Sequence, residues 1–170
     1  MIWVLTAGFG DGHNTAARSV AEALRLQSPG QRVEVCDLIS EAHPLLAGFS
    51  QAAYRAVITT FPALWKMAYH GFAKPGVCES AKWIRPLVAA LEHKLQNDRP
   101  QVIVSTYPLY SSLLAAVRAR GVPVPPIVTV ITDSITVHPS WTVAPSDLLC
   151  VADEDTRESV LRLGVAPEVI

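Results

Sequence analysis

Short β-branched segments that alternate with helical stretches, and a glycine loop joining the first strand to the first helix, predict a doubly wound α/β domain. In such a fold right-handed crossovers build a parallel sheet with helices on both faces. The strands are expected over residues 2–6, 32–37, 101–106, 127–132 and 148–152, each bounded by Gly, Pro or Asp. The first helix is expected over 14–27, where Ala17, Val20, Ala21 and Leu24 recur at helical spacing, with Asn14 as its N-cap and Ser28-Pro29-Gly30 as its stop. Residues 80–96 and 111–120 read as further helices, and 154–163 as a last one. From about Glu41 to Val77 no strand is expected; an apolar, helix-like insertion runs there, interrupted at Pro62 and around Gly71 to Gly76.

Length and composition bound the function. The 170 residues, half of them hydrophobic, suffice for one domain with a sizeable core. A net charge of -1 and a pI near 6.5 give no electrostatic case for nucleic acid. Cys36, Cys78 and Cys150 are odd in number and far apart, which supports neither a disulfide framework nor a zinc site and fits a reducing, cytoplasmic setting. No basic leader precedes the first strand, and no apolar run approaches the ~18 residues that span a bilayer.

The chemistry concentrates at strand ends. Ile2-Trp3-Val4-Leu5 runs into Thr6-Ala7-Gly8-Phe9-Gly10-Asp11-Gly12-His13, where glycines at every second position free the backbone for positive φ and let an anion approach the amides of the next helix. Counted from Gly8, the third glycine of the dinucleotide fingerprint would fall at position 13, which is His13, a side chain that exchanges a proton near neutral pH. The next polar cluster follows the strand at 127–132: Asp133 just beyond it, then His138, Pro139 and Trp141 in a loop. Asp133 beside His13 would orient that ring or raise its basicity. Ser105-Thr106-Tyr107-Pro108 offers hydroxyls and a rigid turn at another strand end, so three strand ends are expected to line one cleft.

Each piece also has a plainer reading. Asp133 serves equally well as a turn cap and Trp141 as a core plug, while Asp37 mimics the acidic residue that holds a ribose hydroxyl in dinucleotide-binding folds. His43 and His93 read as surface or helix-face residues, and His70, among aromatics, stays open. The insertion mixes aromatics with basic residues around Trp65, Lys66, Lys74 and Trp83, as interfacial helices do; a core or subunit seam is the competing use.

Taken together, the segments 5–17, Tyr107-Pro108 and 128–141 resemble the amino-terminal domain of monogalactosyldiacylglycerol synthases and related bacterial diacylglycerol glucosyltransferases, and the resemblance covers nearly the whole chain. The glycine loop ending in His is shared with the wider GT-B group, which includes the glycosyltransferase of peptidoglycan lipid II synthesis. The resemblance implies one half of a GT-B enzyme: residues 1–170 as an acceptor- and membrane-binding Rossmann-like domain, with the nucleotide-sugar held by a donor domain that this chain lacks. It implies transfer of a hexose from UDP-galactose or UDP-glucose to a diacylglycerol-like hydroxyl at a cytoplasmic membrane surface, without a metal or a cofactor.

By that carry-over His13 is the general base, with Asp133 beside it in the catalytic set. Gly10, Asp11, Gly12, His13 and Asn14 face the donor diphosphate; Phe9, Tyr107, Pro108, Asp133, His138 and Trp141 surround the acceptor. Trp65, Lys66, Lys74 and Trp83 touch the membrane. Alone, the chain is not expected to turn over efficiently. Two other classes stay in view: a non-catalytic Rossmann-like module for NAD or a nucleotide, which would tolerate His13→Ala, and a peripheral membrane-binding module indifferent to His13.

Overall fold

A computed structural model describes residues 1–8, 11–42, 84–134 and 136–170. Residues 43–83, which hold the insertion from His43 onward and with it Trp65, Lys66, Lys74 and His70, and then Trp83, lie outside the described residues, as do Phe9 and Gly10. The described elements run β1 (Ile2–Leu5), α1 (Asp11–Gln27), β2 (Val33–Cys36), α2 (Leu38–Ala42), α3 (Ile84–Asp98), β3 (Val102–Ser105), α4 (Leu109–Ala119), β4 (Ile127–Val130), β5 (Leu148–Cys150) and α5 (Glu154–Arg162). Single 3-10 turns stand at Pro139–Trp141 and Pro167–Val169.

The five strands pair in the order β2-β1-β3-β4-β5, every neighbour parallel. This bears out the doubly wound α/β expectation. Side-chain alternation along the strands divides the interior into layers. Trp3 and Leu5 of β1 and Ile103 of β3 point to one face, where α3 supplies Ile84, Leu87, Val88, Leu91 and Leu95 at helical spacing and α4 supplies Leu113, Leu114 and Val117. Val4 and Val104 point to the other, against Ala17 and Ala21 of α1, whose small side chains bring that helix close to the sheet. A third cluster of Ile131, Val137, Trp141, Leu149 and Val160 seats α5 under the loop that follows β4.

One boundary that differs from the sequence reading shapes the site. Helix α1 begins at Asp11, so Asn14 is inside its first turn rather than at its N-cap, and its Oδ1 accepts a hydrogen bond from Thr6 Oγ1 at 2.9 Å. Asp11 opens the helix as an acidic first-turn residue, favoured there by the macrodipole. Gly12 is helical and has no positive φ, contrary to the expectation for the loop; among the described glycines positive φ occurs at Gly121 (80°) and Gly164 (86°), which end α4 and α5. Gly12 sits in α1 with open space where a Cβ would stand. It leaves the first helical turn bare on that side.

The short helix α2 escaped the sequence reading. Asp37 caps it, accepting from Ser40 N at 3.0 Å through Oδ1, while Oδ2 accepts from Ser40 Oγ at 2.7 Å and from Gly8 N at 3.0 Å. Both carboxylate oxygens are therefore spent on α2 and the glycine loop. Asp37 is a clamp on the loop after β1, which corrects its likeness to a ribose-holding acid.

Candidate functional site

The strand order places the topological switch between β1 and β3, because the connection after β1 leads to β2 on one side and the connection after β3 leads to β4 on the other. In folds of this kind the loops diverge there, at the carboxyl ends of the strands. His13, in the first turn of α1, reaches from there to the residues that follow β3 and β4. Its Nδ1 lies 2.8 Å from the Thr106 carbonyl oxygen and 2.8 Å from Thr132 Oγ1. Thr106 grips the same residue a second time: its hydroxyl donates to the His13 carbonyl at 3.1 Å and to the Leu5 carbonyl at 3.2 Å. One threonine at the end of β3 thus holds both the backbone and the ring of His13.

The partners decide the tautomer. A carbonyl oxygen only accepts, so the proton of the neutral ring sits on Nδ1, and Nε2 carries the lone pair. Among the described residues no group bonds to Nε2. Burial holds the His13 pKa below the usual histidine value; the Thr106 carbonyl and then the negative charge of Asp133 work in the opposite direction without overcoming it. At neutral pH the ring is an uncharged base.

Aromatic rings frame the imidazole. Tyr107 meets it edge to face at 5.0 Å between centroids, and Trp141 lies tilted at 6.0 Å. Tyr107 and Pro108 are half-buried at the start of α4, whereas Trp141 is nearly enclosed and packs in the third core cluster. Trp141 is thus a core plug that also stands beside the His13 ring. Asp133 accepts from the His138 backbone N–H at 3.1 Å, a turn that folds the loop after β4 back on itself. His138 is buried and caps the 3-10 turn: its Nδ1 accepts from Ser140 N at 3.2 Å and lies 2.6 Å from Ser140 Oγ. Its side chain is thus committed to the loop's shape.

The structure brings together Asp11, Gly12, His13 and Asn14 on α1, Tyr107 and Pro108 after β3, and Asp133, His138 and Trp141 after β4. Of the two groups on the ring nitrogen, Thr106 is expected from the sequence only as a hydroxyl-bearing residue at a cleft-lining strand end and Thr132 is not expected as a site residue; the signal for each is position, immediately past β3 and just past β4. Among the described residues no group of three or more His, Cys, Asp or Glu is placed to hold a metal ion, and no helix is long and apolar enough to cross a membrane.

Curated relatives match this chain end to end. The processive diacylglycerol beta-glucosyltransferase of Bacillus cereus strain B4264 is 28% identical over 170 residues, which is 99% of this chain and 43% of that protein. Its namesakes in Bacillus mycoides strain KBAB4 and Bacillus anthracis strain CDC 684 are 27% identical over the same span. The chain therefore spans less than half the length of these relatives. The family model described as monogalactosyldiacylglycerol (MGDG) synthase matches residues 13–170, so the chain belongs to the monogalactosyldiacylglycerol synthase family.

Proposed function

We propose that this chain is the acceptor-side domain of a glycosyltransferase that moves a hexose from a UDP-sugar to the hydroxyl of a diacylglycerol, with the donor held by a further domain of the whole protein. Family membership and the relatives' names support the class of reaction. The observation that carries the chemistry is the His13 ring, pinned through Nδ1 to the Thr106 carbonyl at the switch point and left with a lone pair on Nε2.

In the proposed reaction His13 Nε2 takes the proton of the acceptor hydroxyl as its oxygen attacks the anomeric carbon. The new carbon–oxygen bond forms as the bond to the UDP diphosphate breaks, and the diphosphate leaves with the electron pair. Asp133 stabilises the imidazolium that results, through the attraction it already exerts on the ring. The first amides of α1, bared at Gly12, face the departing diphosphate across the cleft, together with Gly10, Asp11 and Asn14. Tyr107 and Pro108 border the acceptor, with Phe9, His138 and Trp141 around it. No metal or cofactor has a part in this scheme. Trp65, Lys66, Lys74 and Trp83 are proposed to hold the domain at a cytoplasmic membrane surface.

The test is turnover of UDP-glucose and UDP-galactose with diacylglycerol in mixed micelles by the full natural protein. His13→Ala should lower it by on the order of 10² or more while vesicle binding persists. Unchanged turnover would remove His13 from the chemistry.

A further inference from the structure

We infer that Thr132 is a positioning residue for His13: its hydroxyl, at the end of β4, shares the Nδ1–H with the Thr106 carbonyl and sets the orientation in which the ring presents Nε2. The inference rests on His13 acting as the base.

A single N–H···O bond leaves a ring free to pivot about that bond. Two acceptors at the same 2.8 Å, one from beyond β3 and one from beyond β4, form a three-centre bond that defines a plane. The strands that precede them are neighbours in register, with Ser105 opposite Thr129, so Thr106 and Thr132 both follow the ends of two directly paired strands. Tyr107 closes the remaining freedom by standing edge-on to the ring at 86°. The clamp is thus built from rigid strand ends, while the residue it holds belongs to a helix on one face.

Thr132 also differs from its partner in what it contributes as the reaction proceeds. A hydrogen bond strengthens when its donor becomes charged, and the Nδ1–H of an imidazolium is a stronger donor than that of the neutral ring. The hydroxyl dipole of Thr132 then favours the protonated state that proton abstraction creates, in the same direction as Asp133. The charged group that acts on the ring from β4 is Asp133; Tyr107 and Trp141 stand beside it uncharged, and Asp11 is two residues earlier on its own helix.

The variant that isolates the hydroxyl is Thr132→Val, which keeps the branched shape and deletes the oxygen. In the full natural protein, with UDP-glucose or UDP-galactose and diacylglycerol in mixed micelles, it should lower kcat on the order of tenfold and leave KM for both substrates in place. The rising limb of the kcat–pH profile should move to lower pH, because the ring loses an acceptor that favours its charged form. Thr132→Ser restores the hydroxyl and should recover the wild-type rate and profile. In a His13→Ala background the valine change should cost nothing further.

Three results overturn the inference: a wild-type kcat and pH profile for Thr132→Val, an equal loss in the His13→Ala background, or failure of Thr132→Ser to rescue. If Thr132→Val does not fold, Thr132→Ser alone decides between rescue and loss, since a shape requirement would be violated by serine and a hydroxyl requirement met. The base reading fails separately, by full turnover of His13→Ala. A crippled His13→Ala beside an unaffected Thr132→Val removes only the role of Thr132.

Discussion

Two clusters of polar groups lie at different places on the same sheet, and they differ in what they leave over. At the β2 edge, Lys94 of α3 binds Glu34 at 3.2 Å and Asp98 at 2.9 Å, and its ammonium stands 5.4 Å from the centre of the Trp3 ring. Burial opposes the Lys94 charge, yet the bonds from Asp98 and Glu34 outweigh it and raise its pKa. The neighbouring Cys36 thiol, desolvated and close to Glu34, is pushed up to about 12 and is inert as a nucleophile at neutral pH. Every charge in that cluster is answered by another.

At the β1, β3 and β4 ends the arrangement is the reverse. His13 has one nitrogen bound twice and the other not at all among the described residues, and burial lowers its pKa toward the neutral form. The comparison teaches that charge density alone does not single out a candidate site. In the proposed function the distinguishing feature is an unspent lone pair on a rigidly held group.

The contrast can be broken or sharpened by substitution. The largest effect belongs to His13→Ala, whose loss of two orders of magnitude or more in turnover comes with little change in stability. Next is Tyr110→Phe. The Tyr110 hydroxyl donates to the Thr6 carbonyl at 2.8 Å and accepts from Leu38 N at 3.1 Å, tying the glycine loop to α2 from a fully buried position. Its removal strands two buried backbone groups and should cost about 1–3 kcal/mol in denaturant unfolding. Smallest is Lys94→Met, expected to cost about 1 kcal/mol or less in stability and nothing in turnover, as partly exposed ion pairs do. A Lys94 variant that lost turnover would erase the distinction between the clusters.

Most of the fold was legible because its signals are local. All five strands were read within two residues of their observed ends, since β-branched runs flanked by Pro, Gly and Asp need no tertiary information. The start of α1 was misplaced because Asp11 and Gly12 look like loop residues, and only the macrodipole and the clamp on Gly8 favour helix there. Helix α2 is five residues long and too short for periodicity to register. In the site, His13, Tyr107 and Asp133 stood out by residue type and position at strand ends. Thr106 acts through its carbonyl, which every residue owns, and Thr132 through a hydroxyl whose partner is 119 positions away. No spacing rule encodes either contact.

The central claim, that the fold holds His13 as a neutral base with Nε2 unbonded among the described residues, is tested most directly by titrating the His13 ring with nitrogen-resolved NMR in the full natural protein. The expected spectrum at pH 7 is the tautomer protonated on Nδ1, titrating below the ordinary histidine value because burial lowers its pKa. The same shift means the unfolded chain binds this proton more readily than the folded one, so the ring's contribution to stability should fall as pH drops through about 6.5. A ring protonated on Nε2 at pH 7, or titrating above the ordinary value, would contradict the account.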